Sequence, residues 1–273
     1  MFKSAQTMLD EKEKLFTEKE VHVVSFRWND FTPELKIFDG NDIEDIDLGK
    51  VNFNISQEKI CVGNFEGRYT PCPDQNNVYK FNQCQRCAPD NIPDLKCIFE
   101  PGDCDSCEGG FCEKPHVVYV AFHGNHPKVG MTSKDRFKQR MIEQGADAYA
   151  LLATVDHRVK AREEEKSLSE RLKIPQKIGH KKKLKTFSRK IDKQMIRRKY
   201  KGIRNRTAIG DLKFLKDYPI TLPLRAKPRL RPVPGLHKGD MVGIKGKYLI
   251  YDNSGLQALN LSDLPGRKMK MVG

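Results

Sequence analysis

Residues 116–156 read HVVYVAFHGNHPKVGMTSKDRFKQRMIEQGADAYALLATVD, and the order of element types along them decides the fold. Residues 117–122 form a short apolar run rich in β-branched and aromatic side chains, the pattern of a buried strand. Gly124, Asn125, His126 and Pro127 are turn chemistry, and Lys128 to Met131 return as a second strand. Ser133 is placed to cap a helix. Gly145 is placed to end it, because glycine enters the left-handed conformation without a Cβ clash. Residues 148–155 predict a third strand and 159–173 a second helix. The unit is a β-hairpin, a helix, a strand and a helix.

Outward from this unit the chain turns β-like on both sides. Residues 21–26, 33–38 and 48–55 predict short strands separated by Asn, Asp, Gly and Pro. After residue 208, prolines at 219, 223, 228, 232 and 234 mark an irregular crossing. Residues 241–244 and 247–251 then read as paired strands about Gly246, and 266–272 as a closing strand. Neither β segment looks able to build a core alone. The expectation is an α+β fold in which the two pack as one β-barrel or sandwich-like unit, with the hairpin–helix core inserted between them. The corresponding segments are 1–60 (N-terminal β), 61–115 (cysteine-rich), 116–207 (core with a basic helix) and 208–273 (C-terminal β, packed with 1–60).

Composition narrows the partners. The chain has 273 residues, 32% of them charged, and a net charge of +14. No apolar run approaches the roughly 18 residues that a membrane helix needs, and the opening MFKSAQTMLDEKEKLFTEKE lacks the apolar stretch of a secretory signal. Both point to the cytoplasm and away from membranes. Between positions 177 and 206 lie fourteen Lys or Arg residues against one acid, Asp192. Leu184, Phe187, Ile191 and Met195 recur there at helical intervals, predicting one amphipathic helix over 184–200 with Thr186 as its cap and Gly202 near its end. Its charge comes from Lys181, Lys182, Lys183, Lys185, Arg189 and Lys190. It continues through Lys193, Arg197, Arg198, Lys199, Arg204 and Arg206. So dense a positive run is most naturally matched by phosphate, which makes these the expected nucleic-acid contacts.

Eight cysteines fall between positions 61 and 112 with no secretory signal beside them, so metal binding is favoured over disulfides. Two C-x-x-C pairs, Cys84 with Cys87 and Cys104 with Cys107, are separated by sixteen residues, a zinc-ribbon spacing. These four are the expected ligands of a structural zinc. Cys97 and Cys112 are alternatives, and Cys61, Cys72 and His116 are outer candidates.

In order and spacing, the core resembles the GIY-YIG nuclease family. Val117-Val118-Tyr119 stands where that family has G-I-Y, and Lys128-Val129-Gly130 where it has Y-I-G. Arg140 follows on the next helix, and Glu165, with Leu168 and Pro175 after it, is similar to the family's E-x-x-L segment. The strings K-V-G-M-T, E-Q-G-A and Q-C-x-x-C also resemble an uncharacterised prokaryotic family that joins such a core to cysteine-rich and β segments. The resemblance implies that Tyr119 orients a water, that Arg140 stabilises a transferring phosphoryl group, and that Glu165 holds Mg²⁺. Gly130 would allow close backbone approach. Lys128 replaces the family's second tyrosine, so the site keeps positive charge and loses a hydroxyl. The expected function is therefore a zinc-containing nucleic-acid-binding protein with catalysis lost or altered. RNA is favoured over DNA, with a ribosome or a tRNA-like molecule as target. The alternative is an active metal-dependent endonuclease using Tyr119, Arg140 and Glu165.

Overall fold

The structure, a computed structural model, describes residues 20–88 and 112–272. It is a mixed α+β protein that divides into two compact units. Among the described residues, one comprises 20–88, 230–243 and 248–272; the other comprises 112–229 and 244–247. Among the described residues, no helix is long and apolar enough to cross a membrane.

The first unit is built on a nine-stranded sheet. Its N-terminal strands are β1 (Glu20–Asn29), β2 (Thr32–Phe38), β3 (Ile43–Asp45) and β4 (Lys50–Lys59). Strands β5 (His116–His123), β6 (His126–Ser133), β7 (Ala148–Val155) and β8 (Lys213–Phe214) form a separate sheet in the second unit. The C-terminal contributors are β9 (Arg229–Leu230), β10 (Gly235–Lys245), β11 (Tyr248–Asp252), β12 (Leu256–Asn260) and β13 (Arg267–Met271), and the order is β3-β2-β1-β13-β4-β10-β11-β12-β9. The last strand lies between two of the first: Met269 of β13 stands opposite Val21 of β1 and Ile55 of β4. Each terminal segment therefore lacks a strand that only the other supplies. Val21, Val23, Leu35, Ile37, Phe53, Ile55, Leu249 and Met269 are buried along these strands.

The second unit carries a four-stranded antiparallel sheet ordered β6-β5-β7-β8. Its strands are β5 (His116–His123), β6 (His126–Ser133), β7 (Ala148–Val155) and β8 (Lys213–Phe214). Its helices are α1 (Phe137–Gln144), α2 (Arg158–Leu172), α3 (His180–Phe187) and α4 (Lys193–Arg204). Every residue of β5 is buried, because both faces of the sheet are covered. Val118, Val120 and Phe122 face Ala161, Leu168 and Leu172 of α2 and Ile196 and Ile203 of α4. Val117, Tyr119 and Ala121 face the other way, onto Phe137, Met141 and Ala146. Gly145 ends α1 at φ +70°, as its sequence context predicts.

Several local expectations change. Ser133 is the last residue of β6; α1 starts after Arg136 without a side-chain cap. The basic run makes two helices instead of one. Asp192, the single acid in the run, accepts the Met195 amide at 2.8 Å and so starts a new helix. Thr186 is buried within α3, and Gly202 lies inside α4. The second unit extends to Arg229 instead of stopping at 207, because β8 pairs with β7 and Leu215 N–H donates to Asp147 O. The loop bearing Cys61 to Cys87 belongs with the nine-stranded unit instead of standing apart.

Candidate functional site

The hairpin register builds the first candidate site. Tyr119 stands opposite Gly130, and Ala121 opposite Lys128, so Tyr119 and Lys128 share one face of the sheet. A Cβ at position 130 would lie 2.6 Å from the Tyr119 oxygen, closer than side-chain carbons approach. Only glycine leaves room for the ring. From α1, Gln144 donates its amide to the phenol oxygen at 2.7 Å, and Phe137 packs against the ring with centroids 5.6 Å apart. Arg140, one turn before Gln144, adds its charge and a hydrogen bond. Burial raises the Tyr119 pKa; Arg140 and Gln144 oppose the rise, and Glu165 reinforces it. Arg140 and Glu165, two of the residues that the resemblance singles out, are thus both within electrostatic reach of the Tyr119 hydroxyl.

Their charges are distributed unevenly. Glu165 is buried on α2 and bound by Arg162 at 2.7 Å, and Arg162 is held in turn by Gln176 at 2.8 Å. Glu143 is shared by Arg136 at 3.0 Å and Arg140 at 3.3 Å. The nearby carboxylates are therefore already engaged by arginines. Lys128 is brought down to about 8 by burial and by Arg140, with Glu165 only partly offsetting them. Lys183 of α3 donates to Gln144 O at 3.1 Å, and burial together with Lys128, Lys247, Arg140 and Lys245 brings it down to about 7. His123 sits deeper on the same face. Burial, Lys183, Lys128 and Lys245 keep its ring neutral, and its Nε2 finds no hydrogen-bond partner among the described residues.

The twelve basic residues expected to meet nucleic acid do not act alike. Lys199 donates to Asn125 O at 2.7 Å, and Arg206 donates to Leu172 O at 3.0 Å and to Arg171 O. Lys193 and Arg197 lie over the Phe214 ring at 5.7 and 5.4 Å. These four brace the fold. Lys183 turns inward to the Tyr119 face. Lys181, Lys182, Lys185, Arg189, Lys190, Arg198 and Arg204 are exposed.

A second candidate site lies in the nine-stranded unit, where the thiols of Cys61, Cys72, Cys84 and Cys87 all fall within 4.8 Å of one another. An antiparallel bridge between Ile60 and Asn77 folds the chain back, so Cys61 meets the 72–87 loop. The Cys87 amide donates to Cys84 O at 3.1 Å, closing the C-x-x-C turn. The Gly63 and Cys84 amides point at the Cys61 sulfur, at 3.4 and 3.2 Å. Gly63 adopts φ +83°, and a Cβ there would strike Thr70 O at 2.3 Å. Cys72 and Cys84 sulfurs are 3.9 Å apart, close to the ~3.8 Å edge of a tetrahedron with ~2.3 Å metal–sulfur bonds. Burial opposes ionisation of Cys84, yet hydrogen bonds from Asn76, the Cys87 backbone and the Cys61 and Cys87 side chains carry it down to about 6. Burial and the neighbouring thiols push Cys87 up. Four thiols crowded together and unbridged, three of them buried and that of Cys84 partly so, are a donor set that can hold a metal ion.

This quartet differs from the one drawn from C-x-x-C spacing. Cys84 and Cys87 are joined by Cys61 and Cys72; Cys97, Cys104 and Cys107 lie outside the described residues. Cys112 and His116 belong to the second unit, where Cys112 O accepts the Arg158 amide and His116 Nδ1 lies 2.6 Å from Lys114 O. Spacing could not see the 60–77 bridge. Sequence reading also missed Gln144, His123 and the buried Lys245–Asp147 ion pair; only Gln144, one turn beyond Arg140, carried a positional signal.

No curated protein and no solved structure matches the chain. A family described only as a protein of unknown function, DUF2797, matches residues 49–268, a span that reaches from β4 to β13 and includes both candidate sites. The chain is a member of the DUF2797 family.

Proposed function

We propose that the second unit binds the phosphodiester backbone of a nucleic acid, with the Tyr119 face as its centre and RNA ahead of DNA as the ligand. One observation carries this reading: Lys128 and Lys183 are half-buried together beside Arg140, burial and Arg140 weakening the charge of Lys128, and burial, Lys128 and Arg140 that of Lys183. Confining like charges in a low-dielectric site is unfavourable, so a site built this way gains most from an anion. A phosphate between the two ammonium groups would restore both and accept hydrogen bonds from Arg140. Exposed Lys181 and Lys182, on the same helix as Lys183, would extend the contact along the backbone. RNA is favoured because the unit offers basic surface with few base-reading side chains.

The thiol quartet is read as a structural zinc site. Closed Cys₄ coordination suits a loop too polar to be held by apolar burial alone, and it leaves no open position for a reacting water. Cys61, Cys72, Cys84 and Cys87 would be the ligands.

Arg140→Ala and Lys183→Ala test the binding reading by fluorescence anisotropy with RNA and DNA oligomers. Each should weaken RNA binding about tenfold, the cost of one or two charge-assisted hydrogen bonds. Unchanged affinity in both would refute it.

The second reading is phosphodiester hydrolysis. It is favoured by the Tyr119 hydroxyl lying within reach of both Arg140 and Glu165. In that case Tyr119 would hand a water to phosphorus, and Arg140 would offset charge developing on the phosphoryl oxygens. Glu165, already neutralised by Arg162, would need to share its carboxylate with Mg²⁺. Cleavage by purified protein in Mg²⁺ that disappears in Glu165→Ala would establish this reading; equal cleavage by both proteins would reject it.

A further inference from the structure

A second cationic recess is built into the same unit and shares no lining residue with the Tyr119 face. It is a cleft of about 180 Å³ between the β5–β6 turn and the joint connecting α3 to α4. Asn125 and His126 form one wall, Lys185 and Arg189 the other, and Ile191 and Met195 the apolar floor.

The cleft is pre-shaped. Gly124, at φ +55°, lets α3 settle directly on the turn: a Cβ there would meet the Thr186 methyl at 3.0 Å. Lys199 clamps the turn from α4 through its bond to Asn125 O. Ile191 is anchored in the core beneath the sheet. Such bracing lowers the ordering cost of taking up a ligand.

Its electrostatics specify an anion. Burial first, and then the facing charges of Lys199, Lys182, Arg189 and Lys185, hold the pKa of the His126 imidazole below the usual range. Asp192 is the one acid in the lining, and its Oδ1 is committed to the Met195 amide. At about 180 Å³ the recess is smaller than the ~300 Å³ at which small-molecule pockets begin. It therefore suits a single phosphate group, with an apolar floor against which a sugar or base edge can rest.

We propose that this cleft binds a second phosphate of the nucleic-acid chain, with Lys185 and Arg189 as the contacting cations and His126 as a third donor when protonated. The proposal rests on the nucleic-acid reading for the identity of the chain that supplies the phosphate. The phosphate chemistry itself does not depend on that reading.

The test uses the full chain and two probes. With inorganic phosphate, the His126 ring resonances, assigned by comparison with His126→Gln, should shift and titrate at higher pH. The double variant Lys185→Gln/Arg189→Gln, both surface positions, should abolish the response. A His126 signal indifferent to phosphate overturns the proposal. With an RNA oligomer, the same double variant should bind about tenfold more weakly, as should the charge reversal Arg189→Glu. RNA affinity that survives both of these variants and falls in Arg140→Ala overturns the cleft while sparing the Tyr119 reading. A phosphate response at His126 in a protein that binds no RNA or DNA supports the cleft and overturns the nucleic-acid reading.

Discussion

Gly130 stands directly across the hairpin from Tyr119, and the phenol ring occupies the space where any other residue would place its Cβ. The pairing links a glycine in one strand to the hydroxyl position of another, and through Gln144 to α1. Gly130→Ala should move the ring off this position. The expected cost is about 1–3 kcal/mol in urea unfolding, as for other overpacked cores. RNA affinity should fall as well, because the displaced ring disturbs Gln144 and with it Lys183. An alanine variant with unchanged stability would show that the ring yields freely.

The two half-buried lysines give the site a pH signature. Both pKa values are lowered, Lys128 to about 8 and Lys183 to about 7, so each holds its proton less firmly in the folded chain than in the unfolded one. The unfolded chain therefore binds more protons from about pH 7 up to the usual lysine range, and folding stability should rise with pH across that window. Phosphate binding favours the charged forms, so affinity should fall over pH 7–9. Lys183→Arg, whose side chain stays charged, should flatten the decline. Equal pH profiles for this variant and the parent would remove Lys183 from the site.

The thiol quartet predicts one tightly held metal ion per chain from these ligands. Cys72→Ser should release it and lower the melting temperature, and a strong chelator should do the same to the parent. Cys112→Ser, in the other unit, should keep that ion. Quantitative elemental analysis decides the point, and an unchanged metal content in Cys72→Ser would exclude the quartet as the ligand set.

Asp147 and Lys245 form an ion pair with both side chains about 2% exposed. Asp147 also accepts the Gly124 amide at 2.5 Å, and Lys245 lies 5.5 Å over the Phe187 ring and 5.3 Å over that of Tyr218. Lys245→Met leaves a buried carboxylate uncompensated and should cost about 3–5 kcal/mol. Lys245→Met/Asp147→Leu should recover part of this, measured by chemical denaturation. A double variant no more stable than the single one would assign the loss to packing rather than to charge.

Much of this architecture was legible in the sequence where a single short-range signal decides the element. The apolar run at 117–122, the turn at Gly124 and the left-handed cap at Gly145 each have one physical solution. The basic run was harder. Helical spacing of Leu184, Phe187, Ile191 and Met195 suggested one helix, yet Asp192 out-competes that periodicity by capping a new one. The thiol quartet was only half legible, because the Ile60–Asn77 bridge that delivers Cys61 is a tertiary contact. The inward turn of Lys183 was invisible for the same reason: its neighbours on α3 carry identical side chains, and only the packing of α3 tells them apart.

The most direct measurement is RNA affinity of the full chain as a function of salt. Phosphate contacts release counterions, so the logarithm of the association constant should fall linearly with the logarithm of salt concentration, by about 0.7 per contact for a single strand. Arg140→Ala and Lys183→Ala should each make that slope shallower. An affinity indifferent to salt, or a slope that neither substitution changes, would contradict the account.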